Sequence, residues 1–151
     1  MNTTLHDLRE ILNIYPAKFN AISVQDFAVK SAPTKWSKKE VVGHLIDSAQ
    51  NNLRRFIVGQ YEHEPHIVYQ QDFWVVANGY QQYSKSDVIE LWRLINLQIA
   101  HVLENMPVEN YDKECKTGEV HTLEWLASDY VKHLKHHINQ IIPGSFDVRY
   151  P

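Results

Sequence analysis

Apolar positions recur at helical spacing in four separate stretches, and no stretch alternates apolar and polar for long enough to define a strand. In the first, Leu5, Leu8, Leu12 and Tyr15 share a face, with Thr4 as cap, Asp7 in the first turn and Pro16 as the stop, which predicts a helix over about 4–15. Residues 24–29 fit a helical turn and 32–35 a loop. The second stretch opens on Ser37-Lys38-Lys39-Glu40, a capping box in which Ser37 and Glu40 satisfy each other's amides, with Trp36 as a hydrophobic staple against Val41. Val41, Leu45, Ser48 or Ala49, Asn52 and Phe56 then trace an inner face to Gly59, predicting a helix over about 38–59. Ser84-Lys85-Ser86-Asp87 opens the third, which follows Val88, Leu91, Ile95, Ile99, Val102 and Met106 to Pro107. Thr122 caps the fourth, over about 123–141, and Pro143-Gly144 ends it.

The connections set the topology. Residues 60–83, with Pro65, Gly79 and four tyrosines, are long enough to carry the chain back along a helix of ~20 residues, ~30 Å. The second and third helices are therefore expected to run parallel. Residues 107–121 read as a polar link. The expected architecture is all-α, a four-helix bundle forming one domain over 1–151.

Composition narrows the partners. Hydrophobic residues are 44% of the chain, enough for a core, and the net charge is −3 with no basic block, which argues against nucleic acid. Cys115 is the only cysteine and cannot form an internal disulfide, which fits a reducing cytoplasm. No signal peptide is expected from residues 1–7, and the apolar runs are too short to span a membrane.

The candidate chemistry lies in the histidines. Leu123, Leu126, Tyr130, His133 and His137 step by three, four, three and four, the spacing of a buried seam. His133 and His137 are four apart, so their Cβ atoms lie about 5–6 Å from each other on one helix face. Two imidazoles on a buried seam must be paired, hydrogen-bonded or metallated. His44 lies on the inner side of the second helix, beside a polar ridge of Asp47, Asn51 and Arg55. Three neutral histidines with an open position form a catalytic zinc arrangement, and nickel, iron or cobalt also suit imidazole.

The neighbours of these residues carry alternatives. His136 is one position off the ligand stripe and reads as a surface or interface residue. Asp47 either orients His44 or is a solvated charge, or an ion pair with Arg54 or Arg55. Gln140 either hydrogen-bonds near the metal or caps the bundle, while Asp72 and Trp74 line a pocket or anchor the crossover. Cys115 is far in sequence from the histidines and is neither expected ligand nor nucleophile. Gly-rich phosphate loops, GxSxG, CxxC and HExxH patterns are absent from the sequence.

Three segments together, Trp36-Ser37-Lys38-Lys39-Glu40-Val41-Val42-Gly43-His44-Leu45-Ile46-Asp47, Gln71-Asp72-Phe73-Trp74-Val75 and His133-Leu134-Lys135-His136-His137-Ile138-Asn139-Gln140, resemble the DinB/YfiT-like superfamily over nearly the whole chain. Ile138-Asn139 stands where many members have Arg-Gly. The resemblance implies an up-down-down-up four-helix bundle whose divalent metal is held by His44, His133 and His137, with zinc or nickel favoured and iron, cobalt or manganese also suited. It further implies kinship with transferases and isomerases that use low-molecular-weight thiols such as bacillithiol or mycothiol. On that reading Asp47, Asp72 or Tyr69 position a small-molecule substrate or move protons. A metal-activated water, and hence hydrolysis, is open too, as is a non-enzymatic metal- or ligand-binding bundle. A homodimer is expected; nucleic acid and membrane are not.

Overall fold

Each of the four apolar periodicities becomes a long helix in the computed structural model, which describes residues 1–150. They are α1 (Asn2–Ala21), α3 (Lys38–Val58), α5 (Lys85–Glu104) and α6 (Leu123–Ile141), with short helices α2 (Val24–Ala28) and α4 (Gln71–Asn78) in the connections. The expected starts are built as anticipated. Ser37 Oγ accepts from the Glu40 amide and the Glu40 carboxylate accepts from the Ser37 amide, completing the capping box. Ser84 and Thr122 accept from the amides of Asp87 and Trp125.

Side-chain contacts fix the directions of the rods. Arg9 of α1 meets Glu104 of α5, whereas Lys85 of α5 reaches the carbonyls of Asn20 and Ile22, so α1 and α5 are antiparallel. Lys39, at the start of α3, holds the carbonyls of Gln81 and Tyr83 just before α5, so α3 and α5 set out together. His44 meets His137 and Ser48 meets His133, which makes α3 and α6 antiparallel. The result is up-down-down-up. Leu8, Phe19, Leu45, Phe56, Trp92, Ile99, Leu134 and Ile138 are among the side chains sealed between the rods. No helix among the described residues is long and apolar enough to cross a membrane.

The first helix departs from expectation at both ends. It begins at Asn2, with no side-chain cap from Thr4, and passes through Pro16 to Ala21. A proline inside a helix forfeits one amide bond and costs ~3 kcal/mol. Complete burial of Phe19 against Trp92, ring centroids 5.2 Å apart, and the grip of Lys85 on the last carbonyls offset it.

The two connections also carry more structure than expected. The crossover contains α4, ended by Gly79 in the left-handed conformation (φ 60°), and a 3-10 turn at Tyr80–Gln82. The polar link contains an antiparallel hairpin of β1 (Glu114–Lys116) and β2 (Val120–Thr122), too short to leave an alternating pattern. Its outer edge takes up the crossover, because Lys116 N–H donates to Pro65 O and Ile67 N–H donates to Lys116 O. Cys115 is buried there with its thiol on Pro65 O, a packing role.

The crossover is seated on α3 at Gly43. A Cβ added at Gly43 would stand 2.1 Å from the Tyr80 ring. Gly43→Ala gains about 1 kcal/mol of helix propensity but drives the ring outward, and overpacking of this kind costs about 1–3 kcal/mol or more. Urea denaturation is expected to show net destabilisation of Gly43→Ala. A variant as stable as the parent would mean that the Tyr80 seat is loose.

Candidate metal centre

Helix geometry places the three histidines. His44 is in the second turn of α3, almost fully buried, with its ring against Trp36, centroids 5.0 Å apart. His133 and His137 lie one turn apart on α6, at the edge of its apolar stripe, because Tyr130, Leu134, Ile138 and Ile141 take the centre. Since the two helices are antiparallel, the rings converge: His44–His137 centroids are 4.7 Å apart, His44–His133 5.1 Å and His133–His137 4.4 Å.

The ligand atoms of the three lie within 4.8 Å of one another. His44 Nε2 and His133 Nε2 are 3.1 Å apart. Two nitrogens bound to one tetrahedral zinc at 2.0–2.1 Å are ~3.3 Å apart, so the spacing suits a common ion. The outer nitrogens are turned away from the centre. His133 Nδ1 faces Ser48 Oγ at 3.4 Å, and His137 Nδ1–H donates to Gln140 Oε1 at 2.9 Å. His44 Nδ1 has no protein partner.

Electrostatics keeps the rings neutral. Burial, reinforced by His137, lowers the His44 pKa to about 4. Burial and then the neighbouring imidazoles hold His133 well below its ordinary value, and burial lowers His137 against the opposing bond from Gln140. At neutral pH all three present lone pairs rather than protons, the form a metal requires. The donor set therefore fits a divalent cation, with imidazole chemistry that suits zinc and its borderline neighbours.

The other candidates fall in different places. Asp47 is fully buried, but its Oδ1 accepts from the Tyr80 hydroxyl at 2.6 Å and the Asn78 amide at 2.9 Å. It hydrogen-bonds neither His44 nor Arg54 nor Arg55 among the described residues, so it joins the crossover to α3 and is neither solvated nor an ion pair. Asp72 is exposed on α4, in a groove with Trp36, Lys38, Val76 and Gln140 beside the site. Trp74 packs edge-on against Tyr69. His136 accepts from the Gln140 amide, and its ring faces a cavity.

That cavity, of about 460 Å³, opens beside His133 and His137. Ser48, Arg55, Tyr69 and Asp129 contribute to its walls, together with Tyr150 and the stacked pair His121 and Trp125, 3.7 Å between centroids. Ser48 carried a usable signal, one turn after His44 on the same face. Tyr150, His121 and Trp125 carried none, since Tyr150 comes from the tail, His121 from the hairpin, and Trp125 lies off the apolar stripe of α6.

An all-helical bundle with a convergent histidine trio at its inner seam defines the class. The profile of the DinB superfamily matches residues 6–141, and the chain belongs to that family. Among solved structures it is similar to YfiT from Bacillus subtilis, described as a probable metal-dependent hydrolase with an unusual four-helix bundle topology, at 23% identity and a TM-score of 0.80, covering 93% of this chain and 82% of that one. It is also similar to a mutant of mycothiol-dependent maleylpyruvate isomerase, at 10% identity and a TM-score of 0.72, covering 91% of this chain and 59% of that one. At these identities the likeness is one of fold. No curated protein matches.

Elemental analysis of the purified protein is expected to find about one divalent ion per chain, falling at least about fivefold in His44→Ala, His133→Ala or His137→Ala and unchanged in His136→Ala. A parent that takes up no metal, or full occupancy in all three alanine variants, would remove the centre.

Asp47 gives a second expectation. Burial raises its pKa from 3.8 to about 6, against the opposing bonds of Tyr80 and Asn78. The folded state then holds a proton that the unfolded chain releases, so this contribution to stability is present at low pH and lost as pH rises from about 4 to about 6. Asp47→Asn keeps the acceptor and removes the titration. In metal-free protein, the stability of the variant relative to the parent is expected to rise by about 1–3 kcal/mol between pH 4 and 7. A difference independent of pH in urea titrations would refute the raised pKa.

Proposed function

We propose that this protein is a metal-dependent enzyme acting on a small molecule, with transfer of a low-molecular-weight thiol as its reaction. The observation that carries the reading is the open cavity beside a trio of neutral histidines. A structural or storage site closes its shell with a fourth side chain. The two candidates for that role are committed elsewhere, Asp47 to Tyr80 and Asn78, and His136 to Gln140. Among the described residues the ligating group contains only His44, His133 and His137.

Zinc or nickel is the preferred ion, with iron, cobalt or manganese as further occupants; bound there, it supplies Lewis acidity that lowers the pKa of a coordinated thiol or water. The chain's own residues do the rest. Ser48 and Gln140 fix the ring orientations of His133 and His137. Burial raises the Tyr69 pKa above the ordinary phenol value, so its hydroxyl stays protonated and can donate to a substrate in the cavity. Asp47 and Tyr80 hold the crossover that carries Tyr69 toward the site. In the transfer the thiol loses its proton, its sulfur bonds an electrophilic carbon, and the leaving group departs with its electron pair.

Hydrolysis is the second reading, favoured by the description of YfiT as a probable metal-dependent hydrolase. The two separate experimentally. Zinc- or nickel-loaded protein is expected to join bacillithiol, mycothiol or a simpler thiol to an electrophile, with loss of at least about 100-fold in kcat/KM in His137→Ala. No turnover across a broad thiol panel, alongside hydrolysis of an ester or amide, would reassign the site to water.

A further inference from the structure

One charge in the cavity has no carboxylate in contact with it, its nearest acidic neighbour on the wall, Asp129, acting only through space. Arg55, three turns along α3 from His44, lines the wall with Tyr69, His133 and Tyr150. Its Nε–H and one Nη2–H donate to Ile67 O at 3.2 and 2.9 Å, and one Nη1–H donates to Asn52 Oδ1 at 3.2 Å. A guanidinium has five N–H donors in a fixed fork, so two remain, one on each terminal nitrogen. Among the described residues no carboxylate oxygen lies within 4.0 Å of it. Asp129 is the only acidic side chain of the cavity wall, and it accepts from the Tyr150 hydroxyl. Arg55 is the only arginine or lysine of the wall.

A partly buried guanidinium with no anion in contact is costly, and a bound anion offsets that cost. Two free N–H groups held in a plane match the two oxygens of a carboxylate. A phosphate dianion is matched best by several basic side chains, and Arg55 is the only one on the wall.

We infer that Arg55 is the anion-binding group of this cavity and that the small molecule taken there carries a carboxylate, an inference that rests on the proposed thiol reaction only for the position of the reacting sulfur. The carboxylate docks on the free edge of Arg55, whose other edge is tied to Ile67 of the crossover and to Asn52. The guanidinium is thereby pre-aimed, and its selectivity comes from hydrogen-bond geometry as well as charge.

Calorimetric titration separates the two ideas. The probes are 3-mercaptopropionate and its methyl ester on zinc-loaded protein, and propionate on metal-free protein. The acid is expected to bind the zinc-loaded parent at least about tenfold more tightly than the ester, the scale of a charge-assisted hydrogen bond. In Arg55→Gln that ratio is expected to fall to within about twofold while the ester is unaffected, and propionate to bind the metal-free parent but not the variant. Equal binding of acid and ester by the parent, or a ratio retained in Arg55→Gln, overturns the assignment. If Arg55→Gln does not fold, Arg55→Lys decides: it keeps the charge and loses the fork, and an undiminished ratio overturns the assignment. Inorganic phosphate competing better than propionate also overturns it. Arg55-dependent propionate binding with no binding of the ester leaves the carboxylate site standing and removes the thiol reading instead.

Discussion

The candidate site depends on one crossing, where α3 and α6 bring one buried and two half-buried imidazoles together, all uncharged. Loss of solvation makes each ring a poor base toward protons, and the same loss leaves its lone pair free. The antiparallel pairing of α3 and α6 sets His44 opposite His137 and Ser48 opposite His133. A shift of either helix by one residue would rotate a side chain about 100° around its axis and scatter the trio. The sealed residues on both sides, Leu45 and Ala49 on one helix and Leu134 and Ile138 on the other, hold that register.

A second requirement follows from the topology. Parallel α3 and α5 oblige the chain to travel back along the bundle, and a segment of that length needs anchors. Besides the hairpin edge at Lys116, three of them lie on α3. Lys39 holds the carbonyls of Gln81 and Tyr83, the buried Asp47 carboxylate accepts from Asn78 and Tyr80, and Arg55 grips Ile67 O. Helix α3 is therefore buried on most of its circumference, with polar residues aimed inward at the crossover as well as at the metal centre. Asp47 is the costly member, a carboxyl whose Oδ2 has no protein partner, and its raised pKa shows that burial outweighs the two bonds it receives.

The legible parts of the sequence were those with a local physical cause. The capping box at Ser37 and Glu40 and the caps at Ser84 and Thr122 each act within one element and are found as read, whereas the periods of α5 and α6 gave the helices but not their buried faces: Leu91 is exposed while Trp92, Asn96 and Leu103 are sealed, and Leu134 and Ile138 take the place read for His133 and His137. The length of 60–83 gave the parallel pair, because chain reach is a local property. The histidine trio was legible because helical spacing puts His133 and His137 on one face, and the family resemblance placed His44 with them. The passage of α1 through Pro16 was not, since the compensation comes from Trp92 and Lys85 on another helix. The hairpin was not either, because its three-residue strands are stabilised by Pro65 and Ile67 of the crossover. Asp47 was misassigned for the same reason: its neighbours in sequence were His44, Arg54 and Arg55, but its partners are Asn78 and Tyr80.

This division matters for how function varies in the fold. The bundle is shared with chains only 23% and 10% identical to this one, so the core tolerates wide replacement provided its pattern and volume are kept. The metal-site trio sits on that tolerant scaffold, on rigid helices. The cavity wall is mixed: α3 and α6 supply most of it, and the connections and the tail supply the rest. Tyr69 comes from the crossover, His121 from the hairpin, Trp125 from the first turn of α6 and Tyr150 from the tail, and of these only Trp125 lies on a long helix of the bundle. Such segments change with little cost to the core, because few of their side chains are sealed within it. Arg55 stands between the two classes. Its backbone belongs to α3 and its head group is clamped by the crossover, so it ties the rod to the connection. What the connections bring up to the histidine trio thus sets the chemistry of the cavity beside it.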